Sequence, residues 1–66
     1  MEYETELMNK EQFAEFAEFF NACVGTDYEV NEDPAGSDKV YCVCFELNQS
    51  EVVMIREFEN KRMKVM

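Results

Sequence analysis

The chain contains no histidine and no tryptophan, and its only serines are Ser37 and Ser50. Without histidine, neither a Ser-His nor a Cys-His dyad can be built. Proline occurs once and glycine twice, and neither repeats nor low-complexity segments are present. No apolar run approaches the ~20 residues that a transmembrane helix needs. The N-terminus is acidic and lacks an apolar h-region, so no signal peptide is expected. A chain of 66 residues also seldom encloses a pocket of several hundred Å³. Carboxylate pairs are so frequent in it that none singles out a glycosidase-like site. An enzyme is therefore not expected, nor is a cofactor.

Basic residues are scarce where acids are dense. Residues 1–38 hold eleven acids (Glu2, Glu4, Glu6, Glu11, Glu15, Glu18, Asp27, Glu29, Glu32, Asp33, Asp38) against Lys10 alone, a net −10. Residues 39–66 hold four acids and five bases, a net +1, which gives −9 for the whole chain. Such a surface repels nucleic acid and anionic membrane and attracts a basic protein groove. The composition is nonetheless that of a folded chain. Hydrophobic residues make up 47% and aromatics 14%, including six Phe and three Tyr, more than disordered acidic chains carry. One domain over residues 1–66 is the natural reading. An acidic arm and helix fill residues 1–25 and a β meander fills 26–66.

A helix is predicted from about Lys10 to Val24. Asn9 and Gln12 form a capping box, with Met8 and Phe13 as the hydrophobic staple. Phe13, Phe16, Ala17 and Phe20 follow the i, i+3, i+4, i+7 stripe, which Phe19 and Cys23 widen. Gly25 stops the helix. Glu11, Glu15 and Glu18 lie on the other side, and like charges at i, i+4 destabilise a helix by ~0.2–0.5 kcal/mol per pair. Tyr28–Asn31 reads as a short strand, 32–37 as a Pro/Gly loop, and Val40–Leu47 as the strongest strand. Glu51–Phe58 is predicted as a strand from Val52, Val53 and Ile55, with a helix capped by Ser50 as the alternative. A turn at 59–61 leads to a last strand, Arg62–Met66. The first eight residues suit an edge strand or an extended arm. The fold class is α+β: one N-terminal helix packed on a small antiparallel sheet of three to four strands.

The three cysteines, Cys23, Cys42 and Cys44, read as free thiols of a reducing cytosol. Structural zinc wants four N or S ligands, and three Cys without His fall short. Cys42 and Cys44 are therefore read as small apolar residues. The acids at Asp27, Glu29, Glu32 and Asp33 miss the EF-hand spacing around Gly36, so no calcium or other metal site is expected.

A row of carboxylates can occupy a groove built for phosphates. Glu2, Glu4 and Glu6 on a strand would stand ~6.6 Å apart, and Glu11 and Glu15 are separated by a helical rise of ~6 Å. Charge-assisted bonds to Lys and Arg would follow. In format — a tiny His-free domain, one Phe-rich helix (Phe13, Phe16, Phe20), a small sheet and an acid-crowded half — the chain resembles the small phage-encoded anti-CRISPR proteins. That resemblance implies an acidic DNA mimic in the host bacterial cytoplasm. It would bind the basic DNA- or PAM-reading surface of a CRISPR effector such as Cascade, with type I and type I-C effectors as the expected targets. It transfers no residue roles. The working surface is then the eleven acids of the first half, on a chain expected as a monomer. A C-terminal hairpin with Lys61, Arg62 and Lys64 would serve as scaffold. The rival is a small interaction subunit or homodimer whose Phe, Met and Val side chains make the contact, Tyr41 and Met54 among the residues it would depend on.

Overall fold

Two capping boxes set the two helices. In the computed structural model, which describes residues 1–63, the Asn9 side chain accepts from the Gln12 N–H at 2.8 Å, and the Gln12 side chain accepts from the Asn9 N–H at 2.9 Å. Helix α1 then runs Lys10–Cys23. Gly25 ends it at φ +81, its N–H on the Phe20 carbonyl at 2.8 Å. That left-handed geometry is one glycine adopts without steric cost. Asn48 and Glu51 repeat the reciprocal pair at 2.8 and 2.9 Å, and helix α2 runs Gln49–Phe58.

Helix α2 replaces the predicted strand, and its cap is Asn48 rather than Ser50. The reason is tertiary. In a helix Val52, Ile55 and Phe58 turn inward together, Ile55 fully buried and Val53 left 46% exposed. That burial outweighs the strand preference of the β-branched residues. The backbone continues without a turn into a π-helical stretch, Glu59–Met63. The predicted turn at 59–61 and the start of the last strand are therefore helical instead, which leaves no C-terminal hairpin there. Residues 64–66 of that predicted strand lie outside the described residues.

The sheet has three antiparallel strands, β1 (Tyr3–Glu4), β2 (Tyr28–Glu32) and β3 (Val40–Cys44), in the order β1-β3-β2. It is not a meander. The N-terminal segment takes the open edge of β3, as an edge strand, where a fourth strand would have paired. Its backbone follows β3 over almost its whole length, from Met1 against Leu47 to Met8 against Val40. Between Glu4↔Val43 and Met8↔Val40 the arm advances four residues while β3 advances three. One residue is thus extra, a bulge. At the bulge the Thr5 hydroxyl accepts the Cys42 N–H at 2.9 Å, in place of a ladder carbonyl.

Strand β3 ends at Cys44, three residues before the predicted Leu47, because Glu46 adopts φ 57. This positive φ turns the chain toward Asn48 and drops Leu47 into the core. Both helices pack on the Cys42/Cys44 side of the sheet. Met8, Phe16, Phe20, Cys42, Cys44, Leu47 and Ile55 form the buried core. An aromatic cluster ties the layers: Phe19 stacks on Phe58 at 4.5 Å, and Phe20 meets Tyr28 edge-on at 5.0 Å. Cys23, predicted to widen the stripe, is instead exposed. It is the last residue of α1, one turn past the packed part.

Candidate functional site

With both helices on one side, no described helix covers the other side of the sheet. Strand alternation sends Tyr41, Val43 and Phe45 there, opposite in direction to Cys42 and Cys44. All three are half-buried, and none packs against the core. Residues directly paired across a sheet share a face. Glu4 and Glu29 both pair with Val43, so two carboxylates flank it, about 10 Å apart across two strand spacings. Asn31 pairs with Tyr41, and the Asp27 carbonyl accepts the Phe45 N–H at 3.0 Å. The face is an apolar stripe with acidic margins.

At one end of this face lies a groove of about 480 Å³, lined by Glu4, Thr5, Glu6, Leu7, Asp33, Pro34 and Tyr41. The bulge makes it. By simple alternation Leu7 would follow Tyr3 and Thr5 inward, but the extra residue turns Met8 in and leaves Leu7 42% exposed. The bulge also interrupts the regular row expected of Glu2, Glu4 and Glu6. The Glu6 N–H is drawn to the Glu59 carboxylate at 2.8 Å.

The remaining acids fall elsewhere. Glu11, Glu15 and Glu18 are exposed along α1, on the helical layer. Glu15 and Glu18 edge a shallow cleft of about 270 Å³ floored by Phe19, Ala22 and Phe58. Glu32, Asp33 and Asp38 surround a loop concavity of about 380 Å³ that also holds Lys39. Asp33 has a structural part: it accepts from Ser37 Oγ at 2.6 Å and the Ala35 N–H at 3.0 Å. Those two bonds, the Ser37 hydroxyl first, hold its carboxyl below its usual range. Ten of the eleven acids are exposed and Asp33 is half-buried. They occupy both sides of the molecule, so no flat partner can meet them all.

No family model matches this chain, and neither a curated protein nor a solved structure does.

Among the described residues no group of three or more Cys, Asp or Glu is arranged to hold a metal, and no helix is long and apolar enough to cross a membrane. Cys42 and Cys44 are buried while Cys23 is exposed. Burial pushes the Cys42 thiol up to about 11 and the Cys44 thiol up to about 12. In the native protein at neutral pH, one thiol equivalent per chain should react promptly with a disulfide reagent such as DTNB. Two more should appear only on unfolding. Labelling followed by peptide mapping checks this, and rapid modification of Cys42 would contradict the packing.

Two functional-scale features escaped the sequence reading. Glu59 is a buried acid, 3% exposed, whose carboxylate takes the Tyr3 hydroxyl as well as the Glu6 N–H. The uncovered face itself is the other. The nearest sequence signal for it is the alternation along 40–47, which places Tyr41, Val43, Phe45 and Leu47 on one face; Leu47 enters the core instead because Glu46 turns the chain.

Proposed function

We propose that this chain is a non-enzymatic inhibitor acting in the host bacterial cytoplasm. It binds the basic, DNA-reading surface of a CRISPR effector of the Cascade type and presents carboxylates where that surface takes phosphates. The observation that carries the reading is the exposure of ten acids in a segment with net charge −10. Each is held on a strand, a helix or a short loop rather than folded back on the core. Carboxylates on an ordered backbone can form charge-assisted bonds to Lys and Arg at the cost of side-chain ordering alone. A chain so charged associates rapidly with a cationic groove, and added salt slows that association.

The test is target-DNA binding by a purified type I effector, type I-C first, titrated with the protein. Inhibition should saturate near one inhibitor per binding surface and weaken from low to high salt. Triple reversal of Glu11, Glu15 and Glu18 to Lys, and separate reversal of Asp27, Glu29 and Glu32, should divide the charge between the two sides. If neither set weakens binding, electrostatic mimicry is wrong. Asp33 is left out of the series because its carboxylate shapes the loop.

A second reading, contact through apolar surface, is favoured by one observation: the uncovered Tyr41, Val43 and Phe45. Its mark is binding that salt does not change. A homodimer through this face would oppose Glu4 and Glu29 of one copy to the same acids of the other, which like-charge repulsion disfavours.

A further inference from the structure

The two edges of the sheet are finished differently. On the β1 side the chain bulges at Thr5, and the Glu59 carboxylate takes the Glu6 N–H at 2.8 Å. Such blunting keeps an edge from pairing again. The outer edge of β2 has no such device. Its register with β3 is unbroken through five pairs, from Tyr28↔Cys44 to Glu32↔Val40, and Tyr28–Glu32 contains no Pro, Lys or Arg. We infer that this edge docks an extended segment of a protein partner, which adds as a fourth, antiparallel strand with cations on one face and aliphatic residues on the other. This rests on the basic-partner reading above and says how that partner is held.

The ladder decides which backbone groups are on offer. The Asp27 carbonyl accepts the Phe45 N–H at 3.0 Å, and the Asp33 N–H donates to the Lys39 carbonyl at 3.2 Å. Alternation then turns Glu29 and Asn31 toward β3, and it turns the N–H and carbonyl groups of Tyr28, Val30 and Glu32 outward. Strand β3 keeps the same alternation, because Val40 and Cys42 bond the arm on its other side. Among the described residues no backbone group bonds the outward N–H and carbonyl groups of β2. A sheet edge of this kind takes an extended peptide through its main chain, and side chains then set which peptide.

Two features of the edge choose the occupant. Val30 lies opposite Cys42 on the helix side, yet it is 46% exposed, and an aliphatic residue directly across from it would cover it. On the other side Asp27 and Glu29 are exposed at alternate positions, about 6.6 Å apart. A strand paired there sets two of its own alternate residues against them, where cations are favoured and acids repelled. The choice does not draw on Asp33, already held by Ser37 and Ala35, nor on Glu32, which shares its concavity with Lys39. Charge also disfavours a second copy. Paired about Val30, the Glu29 of each copy lies diagonal to that of the other, with −9 on each chain.

The experiment titrates the isotopically labelled full chain with a capped six-residue peptide, valine alternating with lysine. In antiparallel register its valines face Tyr28, Val30 and Glu32, and its lysines face Asp27, Glu29 and Asn31. Amide shifts should centre on residues 28–32. Hydrogen exchange should slow at the Tyr28, Val30 and Glu32 amides, while those of Glu29 and Asn31 are protected beforehand. Methylating the valine amides of the peptide should weaken binding by more than about tenfold, since each lost bond counts, and methylating the lysine amides should weaken it far less. Glu29→Lys should weaken the peptide several-fold. Val30→Pro removes an outward N–H and no bond to β3, so it should abolish binding, and the amide spectrum of the free variant verifies its fold. Shifts centred on α1, equal binding of the two methylated isomers, or unchanged exchange at the three amides under millimolar peptide would each overturn the docking edge. The effector titration judges the basic-partner reading separately. Equal inhibition by wild type and Val30→Pro would overturn the edge and leave that reading standing, and no inhibition by wild type would overturn the reading itself.

Discussion

Phe16→Ala should unfold a large part of the population at room temperature. Phe16 is fully buried and meets four rings: Phe19, Phe20, Tyr28 and Phe58. Its ring meets rings from α1, β2 and α2, so its removal opens a cavity at the junction of all three. Deleting a buried phenyl ring costs about 3–5 kcal/mol, the lost transfer energy plus the cavity. A domain of this size has roughly 3–10 kcal/mol of total stability, so the loss is comparable with the whole. Where a folded fraction survives, the midpoint of thermal unfolding should fall by roughly 12–40 °C at about 4–8 °C per kcal/mol. Phe13, half-buried at the first turn, should lose much less on the same substitution. Urea unfolding of the two variants checks the contrast. Equal losses would mean that the aromatic cluster does not centre on Phe16.

The sequence made α1 legible because every level agreed on it: cap, staple, stripe and glycine stop. At α2 the levels disagreed. Val52, Val53 and Ile55 prefer strands, whereas Asn48 and Glu51 signal a helix start. The outcome turned on which arrangement could bury Ile55 against a layer that the local sequence does not reveal. The Asn-x-x-Glu spacing was the readable clue, and it outranks Ser50 because both halves of the reciprocal bond are present. The acids were countable from the sequence, but their grouping was not. Glu4 and Glu29 become neighbours across Val43 only through the order β1-β3-β2. A local reading assumes that consecutive strands pair. Likewise the groove depends on a single extra residue between Glu4 and Met8, a register shift that leaves no mark in composition. Glu59 was the least legible of all, since an acid near a chain end reads as surface until its partners arrive from 56 and 53 residues away.

These two levels bear on each other at the N-terminal arm. The arm is an edge strand of two residues followed by a bulge, too short to hold itself in place. Yet it carries Glu4, Glu6 and Leu7, three of the groove residues. What fixes it is the ladder to β3 and the buried carboxylate of Glu59. The arm's side of the groove is therefore only as ordered as that carboxylate makes it.

Glu59→Ala should accordingly destabilise the protein by about 3 kcal/mol, because it leaves the Tyr3 hydroxyl and the Glu6 N–H without their acceptor, and each hydrogen bond to a charged group contributes ~1.5–3 kcal/mol. Tyr3→Phe should cost about 1.5–3 kcal/mol by the same measure. The double variant should cost less than the sum, since the two changes remove one shared bond, and a coupling of at least ~0.5 kcal/mol is expected for groups in contact. Strict additivity would show that the two groups act independently. The same bond has an alkaline signature. Burial first, then the hydrogen bond and the negative charge of Glu59, raise the Tyr3 phenol above its ordinary 10.0, with Arg56 opposing. A phenol whose folded value is raised contributes stability that is complete below pH 10 and is lost as pH rises above it. The wild type should thus lose stability above pH 10 more steeply than Tyr3→Phe, measured by urea midpoints across that range. If Glu59 also orders the arm, Glu59→Ala should release hydrogen-exchange protection at the Thr5 and Met8 amides, which bond to Cys42 and Val40, before it releases any within α1. Loss of protection in the reverse order would place the arm among the most stable parts of the fold and separate it from Glu59.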